Sequence, residues 1–462
     1  LGPSPLEDNL RRLTDEVGGR VTGTPEMAKA IAWALAAFRA AGVSVHTEKY
    51  TLPVTWSEGL TRLDLLGPEK FPVHLVAEGW SPPTPPAGVE ADLLDLGFGT
   101  EEDFAQARGL LTNSILLIHS QPGTTWADLF DEYLKPPAII ARAVKGGAAA
   151  ILWMGARERT LLYRHTNALD GQLDVIPQAV VAREDAMRLA RMISAQSSAR
   201  STPIRVRFTM PNRIGGPAEQ ENVIGEIRGY EKPDEAVILA AHLDSWELGT
   251  GALDDGCNAA LVIEAARAIH STGLLPRRTI RFALFSGEEQ GMIGSWKYVD
   301  AHRPELNKIR AVIVYDTGIG RVTGYALSGR RELEPALREI LKPLDSWSIN
   351  HHTLEADIGT DNWDFLLEGV PTLIANQEEA NYLPNYHAAS DTFDKVDIRE
   401  LRINTAIAAL TAWGIADRAE PLGKRLSRAE VAELLRDTGL DAKMKQLGYW
   451  TTWEKGTRGR QP

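Results

Sequence analysis

The run Ala236-Val-Ile-Leu-Ala-Ala241 constrains the fold of this chain more than any other stretch. Consecutive apolar residues without alternation fit a strand buried on both faces, as in sheets covered by helices on either side. Polarity then arrives abruptly. His242, Asp244, Glu247, Asp254 and Asp255 follow, interleaved with glycines. From 221 onward the same texture repeats: "ENVIGEIRG", "RTIRFALFSGEE", "IRAVIVYDTG" and "VPTLIAN" read as strands, while 257–269 and 397–413 read as helices. Buried strands alternating with helices predict an α/β fold with a mostly parallel central sheet flanked by helices. Such sheets carry their sites at the carboxyl ends of the strands.

At 462 residues the chain exceeds what one core supports, so at least two domains are expected. Near the start, Thr24 caps a helix with Pro25 at its first position; Met27, Ile31, Leu35 and Phe38 share a face, and Gly42 ends it. From about 58 to 212, Pro/Gly-rich stretches such as "SPPTPPAG" separate short strand-like runs, including Ile115–Ile118 and Ala148–Trp153. No cluster of His and acidic residues shows there, so an inserted β-rich domain without its own chemistry is expected. The tail from 421 opens on Ser427-x-x-Glu430, a capping box before a short amphipathic helix. The boundaries read 1–57 and 213–420 for the main domain, 58–212 for the insertion, and 421–462 for a helical tail.

No apolar run approaches the roughly 18 residues of a membrane span. A net charge of −12 argues against an electrostatic nucleic-acid binder. Cys257 is the only cysteine, so no intrachain disulfide can form, and it reads as a small buried residue. The chain begins Leu1-Gly2-Pro3, which favours an exported protein whose leader has been removed over a cytoplasmic one.

Four strand ends or nearby loops carry chemistry: His242-Leu-Asp244 with Asp254-Asp255-Gly256, Glu288-Glu289, Asp316, and "NYHAASDTFDKVD" (385–397). A strand-end histidine alone is more often structural, and adjacent acids ordinarily solvate a loop. Converging at one sheet edge, however, that many acids are unfavourable unless they bind cations. Imidazole and carboxylate without sulfur suit Zn²⁺ or another borderline metal better than Ca²⁺ or Mg²⁺. His242 and Asp244 lie two apart on a strand and face one side, so Asp244 can hold the far imidazole nitrogen. Glu288 and Glu289 are adjacent and diverge, so one can ligate while the other serves as general base.

At these residues the chain resembles the co-catalytic di-zinc exopeptidase family of bacterial aminopeptidases and glutamate carboxypeptidases. "HLDSW", "DDG", "EEQG", "GS", a strand-end Asp, "YH", "DT" and Asp394-x-Val396 occur here in the family's order. The resemblance implies two Zn²⁺: His242 and Asp316 on one, Glu289 and His387 on the other, and Asp254 bridging. Glu288 would be the general base, Asp244 the orienter of His242, and Tyr386 the stabiliser of the oxyanion. It also implies a cis Asp254–Asp255 peptide and assigns 58–212 to the protease-associated domain that several members carry.

The function expected is a zinc-dependent exopeptidase, an aminopeptidase or dipeptidase acting on peptides or dipeptides through a metal-bridging hydroxide. "GTDNWDF" (359–365) departs from the family's common "SDH.PF" by placing Asn362 where a histidine is frequent. No arginine patch for acidic substrates is evident, which sets a glutamate-type carboxypeptidase second. A glutaminyl cyclase would need only one zinc, and a non-catalytic binding module would have lost ligands. Glu247, Asp357, Asp361 and Asp364 near the motifs favour a free amino terminus on the substrate. A homodimer stays open.

Overall fold

The computed structural model describes residues 4–168, 170–198 and 203–461. The chain divides into two compact units. One runs to Leu52 and takes in Glu219–Tyr382 and everything from Asp391; the other comprises Pro53–Ala218 and Leu383–Ser390.

The first unit is built on a seven-stranded sheet: β1 (Ser44–Leu52), β2 (Ala218–Ile227), β3 (Lys232–His242), β4 (Arg278–Phe285), β5 (Ile309–Val314), β6 (Val322–Ala326) and β7 (Thr372–Gln377). Their spatial order is β1-β2-β4-β3-β5-β7-β6. The central pairings β3/β4, β3/β5 and β5/β7 are parallel, while β2/β4 and β7/β6 are antiparallel. The expected α/β architecture with a mostly parallel sheet is therefore observed. In β3 every residue from Ala236 to His242 is buried, as its unbroken apolar run requires. Ile238 and Ala240 pack with Val312, Val314, Phe285 and Phe365 in one core. Each fully buried Ile, Leu, Val or Phe there contributes roughly 1.5–3 kcal/mol.

Helices covering the sheet include α1 (Pro25–Ala40), α2 (Cys257–Ser271) and α3 (Ile398–Asp417). The Thr24 side chain accepts the Met27 amide hydrogen, as its capping position predicts, and Asp397 caps α3 through the Arg399 and Glu400 amides. Cys257 is buried at the start of α2.

Sequence reading missed β6. It is a short edge strand containing Gly324, where a Cβ would stand 2.1 Å from the His351 carbonyl oxygen. The tail is part of the first unit rather than an appendage. Its helices Arg428–Asp437, Leu440–Leu447 and Trp450–Lys455 bury Val431, Leu435, Met444 and Trp453 against Met292, Trp363 and Leu367. The Ser427–Glu430 capping box forms with both reciprocal hydrogen bonds.

The second unit holds another seven-stranded sheet with helices at Glu101–Gln106, Trp126–Leu134, Pro136–Gly146 and Arg183–Ser198. Among the described residues no helix is long and apolar enough to cross a membrane.

Candidate metal centre

Three parallel strands deliver the candidate residues at their carboxyl ends. His242 closes β3 in register with Phe285 of β4, and Asp316 lies two residues beyond β5. His242 Nε2 lies 3.0 Å from Asp254 Oδ1 and 3.3 Å from Asp316 Oδ1. All three side chains are buried, and their ligand-type atoms fall within 4.8 Å of one another. Asp254 and Glu289 likewise bring carboxylate oxygens within 4.8 Å. The carboxylates around His242 hold its imidazole well above its ordinary pKa, although burial opposes this. Burial raises Glu288 and Asp255, and the negative charge of Asp316 adds to both shifts. So much negative charge gathered in a dry setting around one imidazole is a donor set that fits a divalent cation.

The loop from 250 to 256 is held by residues far away in sequence. Arg20, fully buried, donates from Nε to the Leu243 carbonyl, from Nη1 to the Thr250 carbonyl at 2.9 Å and from Nη2 to the Gly251 carbonyl at 3.0 Å. Gly251 has φ +60°, and a Cβ there would stand 2.3 Å from Ser245 Cβ, so the turn needs glycine. Asp391 accepts the amides of Ala252, Leu253 and Asp254 at 3.1, 2.7 and 3.1 Å. Burial pushes its carboxyl up to about 7, against the pull of those amides. The Asp254–Asp255 peptide is cis. Asp255 turns back to the strand end, accepting the His242 amide at 3.1 Å and Asn258 Nδ2 at 2.6 Å.

Asp244 lies against the His242 ring through both its backbone and its side chain. His242 Nδ1 lies 3.0 Å from the Asp244 backbone carbonyl and 3.7 Å from its carboxylate. The carboxylate also accepts the amides of Glu288 at 3.3 Å and Glu289 at 3.4 Å, tying β3 to the turn after β4. Alternation along a strand could not reveal this, because the turn bends back over the side chain.

The acids expected to attract a cationic amine are mostly engaged. Asp364 pairs with Arg458 and Asp357 with Lys443, while Glu247 is exposed. Asp361 is buried, and neither of its carboxylate oxygens has a partner in hydrogen-bond geometry. Asn362, the departure from the family pattern, is buried beside it, with Oδ1 facing the Thr360 hydroxyl.

Within the second unit, Tyr386 and His387 stack with ring centroids 3.7 Å apart. The fold brings histidine and acid together in the insertion, where no cluster shows in the sequence. His165 is buried with Nδ1 2.9 Å from His387 Nδ1 and Nε2 3.0 Å from Glu132 Oε2. Glu132 also faces Arg157 at 3.3 Å, and the Tyr163 hydroxyl donates to it. Tyr133 bridges the His165 ring and the Tyr386 hydroxyl at 3.0 and 2.7 Å. Burial pushes His165 down to about 4, with Glu132 opposing. Burial also works against ionisation of Glu132, yet His165, by charge and hydrogen bond, together with Arg157 and Tyr163 holds that carboxyl down to about 2. These residues are scattered over 132–165, so no local pattern marked them.

An α/β sheet with buried imidazole and carboxylates at its strand ends fits a metal-dependent hydrolase. Residues 222–412 match peptidase family M28, and the chain is similar to that family of metal-dependent exopeptidases, as its motifs led one to expect. It is 29% identical to carboxypeptidase Q of Bos taurus over 418 residues, spanning 90% of this chain and 86% of the relative. The Homo sapiens carboxypeptidase Q is 28% identical over the same shares. Among solved structures, a peptidase M28 precursor from Shewanella amazonensis SB2B superposes with a TM-score of 0.80 at 27% identity, covering 91% of this chain and 95% of that one. A zinc aminopeptidase from Bacillus subtilis shares the fold at TM-score 0.70 and 19% identity, covering 92% and 97%.

Proposed function

We propose that the chain is a di-zinc exopeptidase that hydrolyses dipeptides and short peptides bearing a free amino terminus. The observation carrying the metal reading is the buried triad of His242, Asp254 and Asp316, whose ligand-type atoms lie within 4.8 Å of one another. His242 and Asp316 would hold one zinc. Asp254 would serve both ions, and Glu289 with His387 would hold the other, following the family resemblance. When bound, zinc supplies Lewis-acid polarisation of the scissile carbonyl and eases deprotonation of the attacking water.

The chain's own residues do the rest. Glu288 would take the proton from water and return it to the leaving amine. The Asp244 carboxylate, through the Glu288 and Glu289 amides, would fix the turn on which that base sits. Tyr386 would donate its hydroxyl hydrogen to the developing oxyanion. Asp361, a buried acid whose carboxylate oxygens make no close hydrogen bond, supports recognition of a cationic amine. Carboxypeptidase Q, the name of the relatives at 28–29% identity, favours attack from the carboxyl end instead, and a free dipeptide satisfies both readings.

A substrate panel separates them. An aminoacyl amide should be cleaved and its N-acetylated, C-terminally free counterpart should not; the reverse order would replace the aminopeptidase reading. We further propose that the second unit is the protease-associated domain of the family and that the protein is exported. Cell fractionation that finds it only in the cytoplasm would refute export.

A further inference from the structure

Inside the second unit, Glu132, His165 and His387 form one line of hydrogen-bonding atoms. Glu132 Oε2 is 3.0 Å from His165 Nε2, and His165 Nδ1 is 2.9 Å from His387 Nδ1. A carboxylate only accepts, so His165 carries a hydrogen at Nε2. Arg157 already balances the charge of Glu132, so a second cation on His165 would gain little from that carboxylate. A neutral His165 protonated at Nε2 presents a lone pair at Nδ1. Two ring nitrogens 2.9 Å apart share one hydrogen between them, so His387 donates from Nδ1 to the same lone pair that the Tyr133 hydroxyl approaches at 3.0 Å. Its own lone pair then lies at Nε2.

The backbone holds the two rings in this register. Tyr163 and Ala388 form an antiparallel bridge, with the Arg164 amide donating to the His387 carbonyl at 3.1 Å and the Ala389 amide to the Leu162 carbonyl at 3.0 Å. His387 itself sits at φ +57°, a region a non-glycine residue rarely adopts, and the bridge fixes it there.

We propose that Glu132 and His165 are positioning residues that lock His387 in the tautomer whose Nε2 can bind metal. An insertion outside the matched residues 222–412 would thus set the ligand state of a motif histidine. The proposal rests on the reading of His387 as a zinc ligand. Outer partners of a metal-binding histidine typically account for about 10–100-fold in affinity.

Two measurements test it separately. Histidine ¹⁵N spectra of the metal-free protein should show His387 protonated at Nδ1 and not at Nε2. Zinc titration by calorimetry should show His165→Leu weakening one of two sites by about 10–100-fold and sparing the other. His165→Asn, whose side-chain oxygen can take the place of Nδ1 as acceptor, should restore most of that loss. Glu132→Gln, which keeps an acceptor toward His165, should stay near wild type, and Glu132→Leu should resemble His165→Leu. A metal-free wild type with His387 protonated at Nε2, or a folded His165→Leu protein with both zinc affinities unchanged, would overturn the lock. A wild type that takes up only one zinc would instead refute His387 as a ligand, while the ¹⁵N spectra still decide the tautomer.

Discussion

Removing the guanidinium of Arg458 should damage the first unit more than any single change on its surface. Arg458 and Asp364 are 0% and 1% exposed, and their side chains meet in two parallel bonds of 2.8 and 2.9 Å. Nη2 also donates to the Gly291 carbonyl at 3.0 Å, two residues past Glu289. The guanidinium further lies 4.8 Å from the Trp296 ring centroid and 5.1 Å from that of Tyr449. Arg458→Met keeps most of the bulk but strands the Asp364 carboxylate in a dry setting, which costs about 3–5 kcal/mol. Arg458→Lys should fall between, since an ammonium cannot reproduce the paired bonds. The double variant Arg458→Met/Asp364→Leu removes both charges, and should recover most of the loss because the desolvation penalty disappears with them. Urea unfolding followed by tryptophan fluorescence reads the difference. With a slope of about 3 kcal/mol per molar, the single variant's midpoint should drop by about 1–1.7 M. A loss below about 1 kcal/mol, or a double variant no more stable than the single, would refute the reasoning.

Other outcomes follow from the site and the surface. Glu288→Gln should retain metal while kcat falls by about two to four orders of magnitude, as for loss of a general acid–base; near-normal turnover would remove Glu288 from that role. Asp254→Ala should lose bound zinc by elemental analysis after desalting, whereas the wild type should hold close to two ions per chain. Glu235, held down to about 2 mainly by its bond to Arg310 and also by Arg278, should stabilise the fold at neutral pH. Its folded pKa lies below the ordinary value of 4.5, so that contribution is complete above 4.5 and fades as pH falls toward 2. Glu235→Gln should therefore lower Tm at pH 7 and converge on wild type near pH 2, and a gap that persisted there would contradict the assignment.

The sequence by itself determined the features whose causes are local. The unbroken run 236–241 dictated a strand buried on both faces, and Thr24 and Ser427 placed helix starts because each cap bonds a residue three positions on. Candidate ligands were legible as well, since each follows directly on a buried strand or sits in a compact motif. Tertiary structure alone decided how those residues are held. Arg20 reaches the Leu243 carbonyl across 223 positions and His165 meets His387 across 222, distances over which no periodicity carries information. The segment 383–390 was read as one loop of the main domain, yet backbone bonds to Leu162 and Arg164 give it to the inserted unit. Which acids stay available was equally invisible. Asp364 and Asp361 are three residues apart with the same side chain, and only the fold brings Arg458 to one while leaving the other buried without a hydrogen-bond partner. A charge's role depends on what is packed against it, and packing is settled by the whole chain.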